Sequence, residues 1–293
     1  MMTKATPTEA VARDASNAAG LDTDGLRLLG DHATAVHLLP RERLVVRVRG
    51  PQTLESAIRA VALTRRLDGY DLPVTRPARS LEPVVHDGHV LTWWEYYPQP
   101  PGWRPDAAEL GSILRRLHAL PQPPEPPPTY RPLADLADRV AASTTLDQTD
   151  KAWLAARIDT LLERYEHLTF PLGPAGLIHG DAYPGNLLAD RHLTRLGDWD
   201  EAAHGPRELD LVNTYQGTRF GRGEPELERF ADAYGFDPRR WDGFSVLREM
   251  RDLHTLGSFI RRADARDRNA HRELAHRITT LRTGDEQARW APA

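Results

Sequence analysis

Cysteine is absent from the 293 residues. That excludes a disulfide framework and any thiolate metal site. Lysine is nearly absent too: of the 38 basic residues, all but Lys4 and Lys151 are arginines. No stretch approaches the roughly 18 consecutive apolar residues that a membrane helix needs. The first twenty residues lack the apolar centre of a signal peptide. A soluble, cytoplasmic protein with no membrane partner is the expectation. Nor is there an excess of positive charge. Acidic residues number 42 and the net charge is −4, which argues against a nucleic-acid partner. There is no internal repeat.

What the chain does have is a change of character near Pro98. Before it, the β-prone runs 35–39 and 44–48 flank the turn-like 40–43, and 83–86 and 89–94 flank Asp87-Gly88, a strong hairpin signal. Between these pairs, residues 53–67 carry Leu54, Ala57, Ala60, Val61, Leu63, Thr64 and Leu67 at helical spacing. A small antiparallel sheet with one helix follows. Residues 7–19 read as a short helix or a frayed tail, with order beginning near Leu21.

After Pro98 helical patterns dominate. Residues 109–120 place Leu110, Ile113, Leu114 and Leu117 on one face. Further helices are expected over 150–166, 224–234, 246–262 and 270–282. The run PQPPEPPP at 121–128 cannot continue a helix and reads as a stiff connector. The fold class is therefore α+β, with divisions at 1–20, 21–97 and 98–293.

One non-helical segment, 176–200, concentrates the chemistry. Its runs 187–189 and 194–197 surround the polar turn 190–192 and make a plausible hairpin. Asn186 enters that hairpin and Asp198 leaves it, so an amide oxygen and a carboxylate meet at its open end. Both are hard oxygen ligands suited to Mg²⁺. Asp181 lies five residues before Asn186, in a loop bent by Pro184 and Gly185. A base can thus stand near a metal that holds phosphates.

The loop reads His179-Gly180-Asp181-Ala182-Tyr183-Pro184-Gly185-Asn186. Asp198-Trp199-Asp200 follows, then Gly205-Pro206-Arg207-Glu208-Leu209-Asp210-Leu211. This series resembles the aminoglycoside phosphotransferase family, which has the protein-kinase-like fold. The resemblance covers about 22–270. It implies a bilobal architecture: a small antiparallel-sheet N-lobe over 21–97 that binds nucleotide, and a larger helical C-lobe over 98–293 with the catalytic loop and acceptor pocket. The implied reaction moves the γ-phosphoryl group of ATP or GTP, with Mg²⁺, to a hydroxyl of a small molecule such as an aminoglycoside, another antibiotic or an amino alcohol.

Roles follow by the same resemblance. Asp181 is the base, and Asn186 and Asp198 are the metal ligands. His179 supports the loop, and Asp210 ties it to the helices. Leu188 lies under the nucleotide base, and backbone groups of Glu95 and Tyr97 pair with the base edge. Arg47 occupies the strand position where the family has a phosphate-gripping lysine. Ala60 stands where a helix glutamate is expected, with Glu55, one and a half turns earlier, as a substitute. The stretch Gly30-Asp31-His32-Ala33-Thr34 takes the place of the phosphate-covering loop without its glycine signature.

The acceptor is expected to be cationic. Glu249 and Asp252 lie three apart on one helix, and Asp200 and Glu201 directly follow the metal ligand. Four carboxylates could surround an amine. Arg248 and Arg251 interleave with these acids, so an ordinary salt-bridged face is the alternative. A pseudokinase that only binds nucleotide is the rival reading of the chain, since Arg47 and Ala60 depart from the usual pair. A metal hydrolase built on His179 and Asp181 lacks other ligands at a characteristic spacing, and a protein kinase lacks A-P-E after Asp198.

Overall fold

A computed structural model describes residues 7–31 and 34–292. They form two compact units. One runs to Pro105 and takes in Gly185–Ala202; the other holds Asp106–Pro184 and the chain from Ala203 onward. Among the described residues, no helix is long and apolar enough to cross a membrane.

The first unit is built on a five-stranded antiparallel sheet. Its elements are helix α1 (Pro7–Ala18), strands β1 (Arg27–Asp31), β2 (Ala35–Leu39) and β3 (Leu44–Arg49), helix α2 (Leu54–Asp68), and strands β4 (Val84–His86) and β5 (His89–Glu95). The strand order is β1-β2-β3-β5-β4. Strand β1 lies outside the runs expected from sequence. Its Leu28 and Leu29 are 39% and 44% exposed, and the register slips between Leu28 and Gly30, so neither alternation nor turn chemistry marks it.

Residues 7–18 are a docked helix and not a frayed tail. Val11, Ala12 and Ala15 are buried with Val46, Val48, Leu91 and Trp93 of the sheet, and Trp93 Nε1 donates to Ser16 Oγ at 3.0 Å. Because side chains alternate along a strand, burying Val46 and Val48 against α1 turns Arg47 and Arg49 to the opposite face.

The hairpin of Leu187–Asp190 and Leu193–Leu196 belongs to this same unit. Leu196 accepts from Thr75 N at 3.0 Å and donates to the Pro73 carbonyl at 2.8 Å. Gln99 clasps the other strand, accepting from Ala189 N at 2.9 Å. These bonds tie the segment to residues 73–75 and 99, far from it in the chain.

The second unit is helical. It comprises α3 (Ala107–His118), α4 (Ala134–Ala142), α5 (Gln148–Glu166), α6 (Glu208–Tyr215), α7 (Glu224–Tyr234), α8 (Phe244–His254), α9 (Leu256–Asp264) and α10 (Arg268–Thr283). A two-stranded pair joins Gly176–Ile178 to Ala203–Gly205. Aspartates start three of the helices: Asp106, Asp147 and Asp267 each accept from backbone N–H groups of the first turn. The expected single helix over 246–262 is two helices, α8 and α9. Thr255 sits at the break, and its hydroxyl bonds back to the Asp252 carbonyl at 2.9 Å, a competitor to regular helix bonding.

Helices α3 and α7 pack closely because of Gly111. A Cβ there would lie 2.6 Å from the Phe230 carbonyl oxygen and 3.2 Å from Tyr234 N. Alanine is the better helix former by about 1 kcal/mol, but overpacking against backbone costs about 1–3 kcal/mol. Gly111→Ala is therefore expected to lower the urea midpoint. A midpoint equal to or above wild type would show that α3 and α7 can move apart at no cost.

Candidate active site

In the first unit, the chemistry centres on four charges. Arg47 Nη2 lies 2.8 Å from Asp198 Oδ1 and 2.7 Å from Asp200 Oδ2. Arg49, two residues on along β3 and so on the same face, reaches Asp200 Oδ1 at 2.6 Å. Arg47, Arg49 and Asp200 have side chains 16%, 17% and 12% exposed, whereas Asp198 is 45% exposed. The cluster is thus closed at Asp200 and open at Asp198. Burial works against the charge on Arg47, but the Asp198 and Asp200 carboxylates outweigh it and hold its pKa above the ordinary arginine value. Burial pushes the Asp200 carboxyl up, against the pull of Arg47 and Arg49.

Local structure explains the geometry. Leu187 pairs with Leu196, and Gly197 N donates to the Asn186 carbonyl at 2.9 Å. Asn186 and Asp198 therefore bracket the paired end of the hairpin. Asp198 itself adopts a left-handed conformation, φ 62° and ψ 60°, sparsely populated outside glycine and held here by its surroundings. Trp199 is 1% exposed and its Nε1 donates to the Leu196 carbonyl at 2.9 Å, which anchors the turn carrying Asp198 and Asp200. An amide oxygen and a carboxylate at that end suit a hard divalent cation such as Mg²⁺. A cation already rests on Asp198, the guanidinium of Arg47, so the carboxylate sits where positive charge is wanted.

The helix partner is not Glu55. That side chain is 89% exposed and bonds Arg59 at 3.4 Å, one turn along α2. Ala60 is buried, and α2 packs on the turn Trp199–Glu201. Asp200 takes the partner's part from that turn. It was expected in an acceptor pocket, and both its oxygens are held by arginines instead. Glu201 is exposed.

In the connector after β5, two of the backbone groups of Glu95 and Tyr97 are engaged within the protein. Glu95 N donates to the Arg76 carbonyl at 2.8 Å, so that N–H is not available to a base edge. The Glu95 carboxylate accepts from the Tyr97 hydroxyl at 3.0 Å, and the Tyr97 carbonyl accepts from Gln99 Nε2 at 2.7 Å. Gln99 thereby links the connector to the strand carrying Leu188, which is half-buried. Within the stretch 30–34, His32 and Ala33 lie outside the described residues.

In the second unit, Asp210 organises the loop. The carboxylate is wholly buried. Its Oδ2 accepts from His179 N at 2.7 Å and from His118 Nε2 at 3.0 Å, and its Oδ1 from Gly180 N at 2.8 Å. His179 is also wholly buried, and its Nδ1 accepts from Asp181 N at 3.3 Å. Gly180 has φ 84°, which is why a glycine precedes the aspartate. Asp181 is thus the outward end of a loop fixed by backbone bonds.

Asp181 Oδ1 accepts from Arg251 Nη2 at 2.5 Å. Arg251 Nε donates to Gln216 Oε1 at 3.2 Å, and Gln216 Nε2 donates to Asp252 Oδ1 at 3.0 Å. Asp252, expected to face an acceptor, is 2% exposed and is bound by Arg219 through two bonds of 3.2 Å. Glu249 is paired with Arg157 through both carboxylate oxygens. The salt-bridged alternative thus holds for these acids, since helical spacing gives their face but not their partners. Arg49, Gln99, Gln216 and Arg251 were not expected to contribute. Arg49 had a signal in its two-residue offset from Arg47, and Arg251 in its place among the acids of 249–252.

Residues 27–244 match the model of the phosphotransferase enzyme family. No curated protein matches the chain. Among solved structures, the amicoumacin kinase hAmiN, in complex with AMP-PNP, Ca²⁺ and amicoumacin, has TM-score 0.73 at 13% identity, over 95% of each chain. The aminoglycoside phosphotransferase APH(3'')-Id from Streptomyces rimosus has TM-score 0.63 at 18% identity, over 84% of this chain and 99% of that one. Choline kinase LicA from Streptococcus pneumoniae has TM-score 0.63 at 13% identity, over 94% and 100%. At these identities the likeness is one of fold.

Burial alone would raise the Asp210 pKa, but the hydrogen bond from His118 and the field of His118 and His179 outweigh it and hold the carboxyl below its ordinary value. A carboxyl depressed on folding stabilises the native state above its unfolded pKa of about 3.9 and loses that contribution as pH falls through the folded value. Asp210→Asn is expected to cost about 1–3 kcal/mol at pH 7, with the gap to wild type narrowing in acid. Urea unfolding at pH 7 and pH 3 checks this, and a gap that does not narrow contradicts it.

Proposed function

Because the chain belongs to the phosphotransferase enzyme family, we propose that it transfers the γ-phosphoryl group of ATP or GTP to a hydroxyl of a small-molecule acceptor. The observation that carries this reading is the hairpin end, where Asn186 and Asp198 bracket the first residue pair beside the buried Arg47. Asn186 and Asp198 would hold Mg²⁺. When bound, the metal would neutralise charge that develops on the transferred phosphoryl group.

Arg47 and Arg49 offer the phosphates two permanently charged forks in place of a lysine. Asp200 holds both, so Arg47 would keep one partner if Asp198 held the metal. That arrangement supplies the anchor that Ala60 cannot, and it favours an active enzyme over a pseudokinase. Tyr97 and Gln99 steady the connector, and Leu188 presents an apolar surface for the base. Asp181 accepts the acceptor's hydroxyl proton. The freed oxygen forms the new bond to phosphorus as the bond to the nucleoside diphosphate oxygen breaks, and its electron pair leaves with the diphosphate.

Two variants separate the roles. Asp181→Asn is expected to lose at least ~100-fold in turnover, the usual scale of general-base help, with nucleotide affinity near wild type. Asp198→Ala is expected to weaken Mg²⁺-dependent nucleotide binding by calorimetry. Unchanged Mg²⁺–nucleotide affinity in Asp198→Ala would remove the metal assignment, and near-normal turnover in Asp181→Asn would remove the base.

A further inference from the structure

The Asp181 carboxylate is bonded to a guanidinium, where an amine-binding pocket would add acids. Within the second unit, a small cavity of about 10 Å³ behind the loop, room for one water, is lined by Gly180 and Leu209 together with Tyr130, Asn213, Leu247, Met250, Arg251 and His254. Its lining includes no carboxylate, and its two side chains capable of positive charge are Arg251 and His254. The acids on the same helix are engaged elsewhere, Glu249 with Arg157 and Asp252 with Arg219. Arg248, also on α8, is turned to Thr218 Oγ1 at 2.9 Å.

Arg251 is held in position rather than merely present. Its side chain is 11% exposed, and its Nε is fixed by Gln216. Gln216 is fixed in turn by Asp252, and Asp252 by Arg219. A guanidinium ordered by its own protein gives up little freedom on meeting a ligand, and its planar fork matches a carboxylate or phosphate through two parallel bonds. In the structure its partner is the base itself.

We propose that Arg251 recognises an anionic group on the acceptor, a carboxylate or a phosphate ester, so that the substrate is a small hydroxylated anion and not an amine. This rests on the phosphotransferase reading, because it assigns the acceptor of that same Asp181. An anion that draws Arg251 to itself releases Asp181 to accept the hydroxyl proton, so recognition of the acceptor and release of the base are one event. An ammonium group beside Asp181 would face a fixed guanidinium instead.

Equilibrium binding tests this without requiring turnover. Calorimetry on the full chain would compare 4-hydroxybutyrate and glycerol 2-phosphate with the size-matched 4-amino-1-butanol and with the neutral 1,4-butanediol. At least one anion is expected to bind ten-fold or more tightly than the amine and the diol. The two anions distinguish a carboxylate from a phosphate ester as the recognised group. Arg251→Gln is expected to abolish the preference, and Arg251→Lys to restore part of it. Equal binding of all four compounds, no binding by any, preference for the amine, or an anion preference that survives in folded Arg251→Gln would each overturn the proposal. Mg²⁺–nucleotide binding is measured in parallel. If it is intact while the anion preference is missing, the acceptor class is wrong and the phosphotransferase reading stands. If it is missing while the anion preference is present, the reverse holds.

Discussion

Two arginines on one face of a strand, with no lysine near them, impose the constraint around which the first unit is arranged. A buried guanidinium must have a carboxylate, because leaving one such charge unpaired costs about 3–5 kcal/mol. Arg47 and Arg49 satisfy that demand with Asp200, and Arg47 additionally with Asp198. Everything nearby serves to deliver those two aspartates: the hairpin register, the left-handed turn at Asp198, and the buried Trp199 between them. The small side chain of Ala60 belongs to the same solution, since the helix that would otherwise carry the counter-charge packs on the turn that carries it instead.

The second unit repeats the principle with different parts. Asp210 is a buried carboxylate whose bonds go to backbone N–H groups and an imidazole, and its product is a rigid loop ending in Asp181. Asp252 is a second buried carboxylate, but its chain of bonds through Gln216 ends in a guanidinium on Asp181. The loop that carries Asp181 and the cation that caps it are therefore both positioned by buried aspartates. Burial of Asp252 pushes its carboxyl up, and Arg219 acts against that shift, as expected for an acid whose function is to hold other groups.

Those differences decide what could be read from the residues alone. The hairpin between Asn186 and Asp198 was legible because it follows from a short polar turn, and the roles proposed for Asp181, Asn186 and Asp198 rest on residue types at the spacing that phosphoryl transfer uses. The strands around Asp87-Gly88 and the helices of 109–120 and 150–166 were legible from turn chemistry and apolar periodicity. Partners were not. Periodicity placed Glu249 and Asp252 on a helix but could not show that Arg157 and Arg219 come from elsewhere to neutralise them. It likewise ran one helix through Thr255, where a break with a back-bonded hydroxyl separates two. Strand β1 and the docking of α1 depend on surfaces that only the assembled sheet provides.

The central claim is that Arg47 and Asp198 are partners only until nucleotide and metal arrive, with Asp200 retaining the arginines throughout. A crystal structure with Mg²⁺ and a non-hydrolysable ATP analogue tests it directly. The account predicts Asp198 and Asn186 on the metal, Arg47 on a phosphate oxygen, and Asp200 still bonded to Arg49. Nucleotide bound with Arg47 still on Asp198, and no metal contact from that carboxylate, would contradict it.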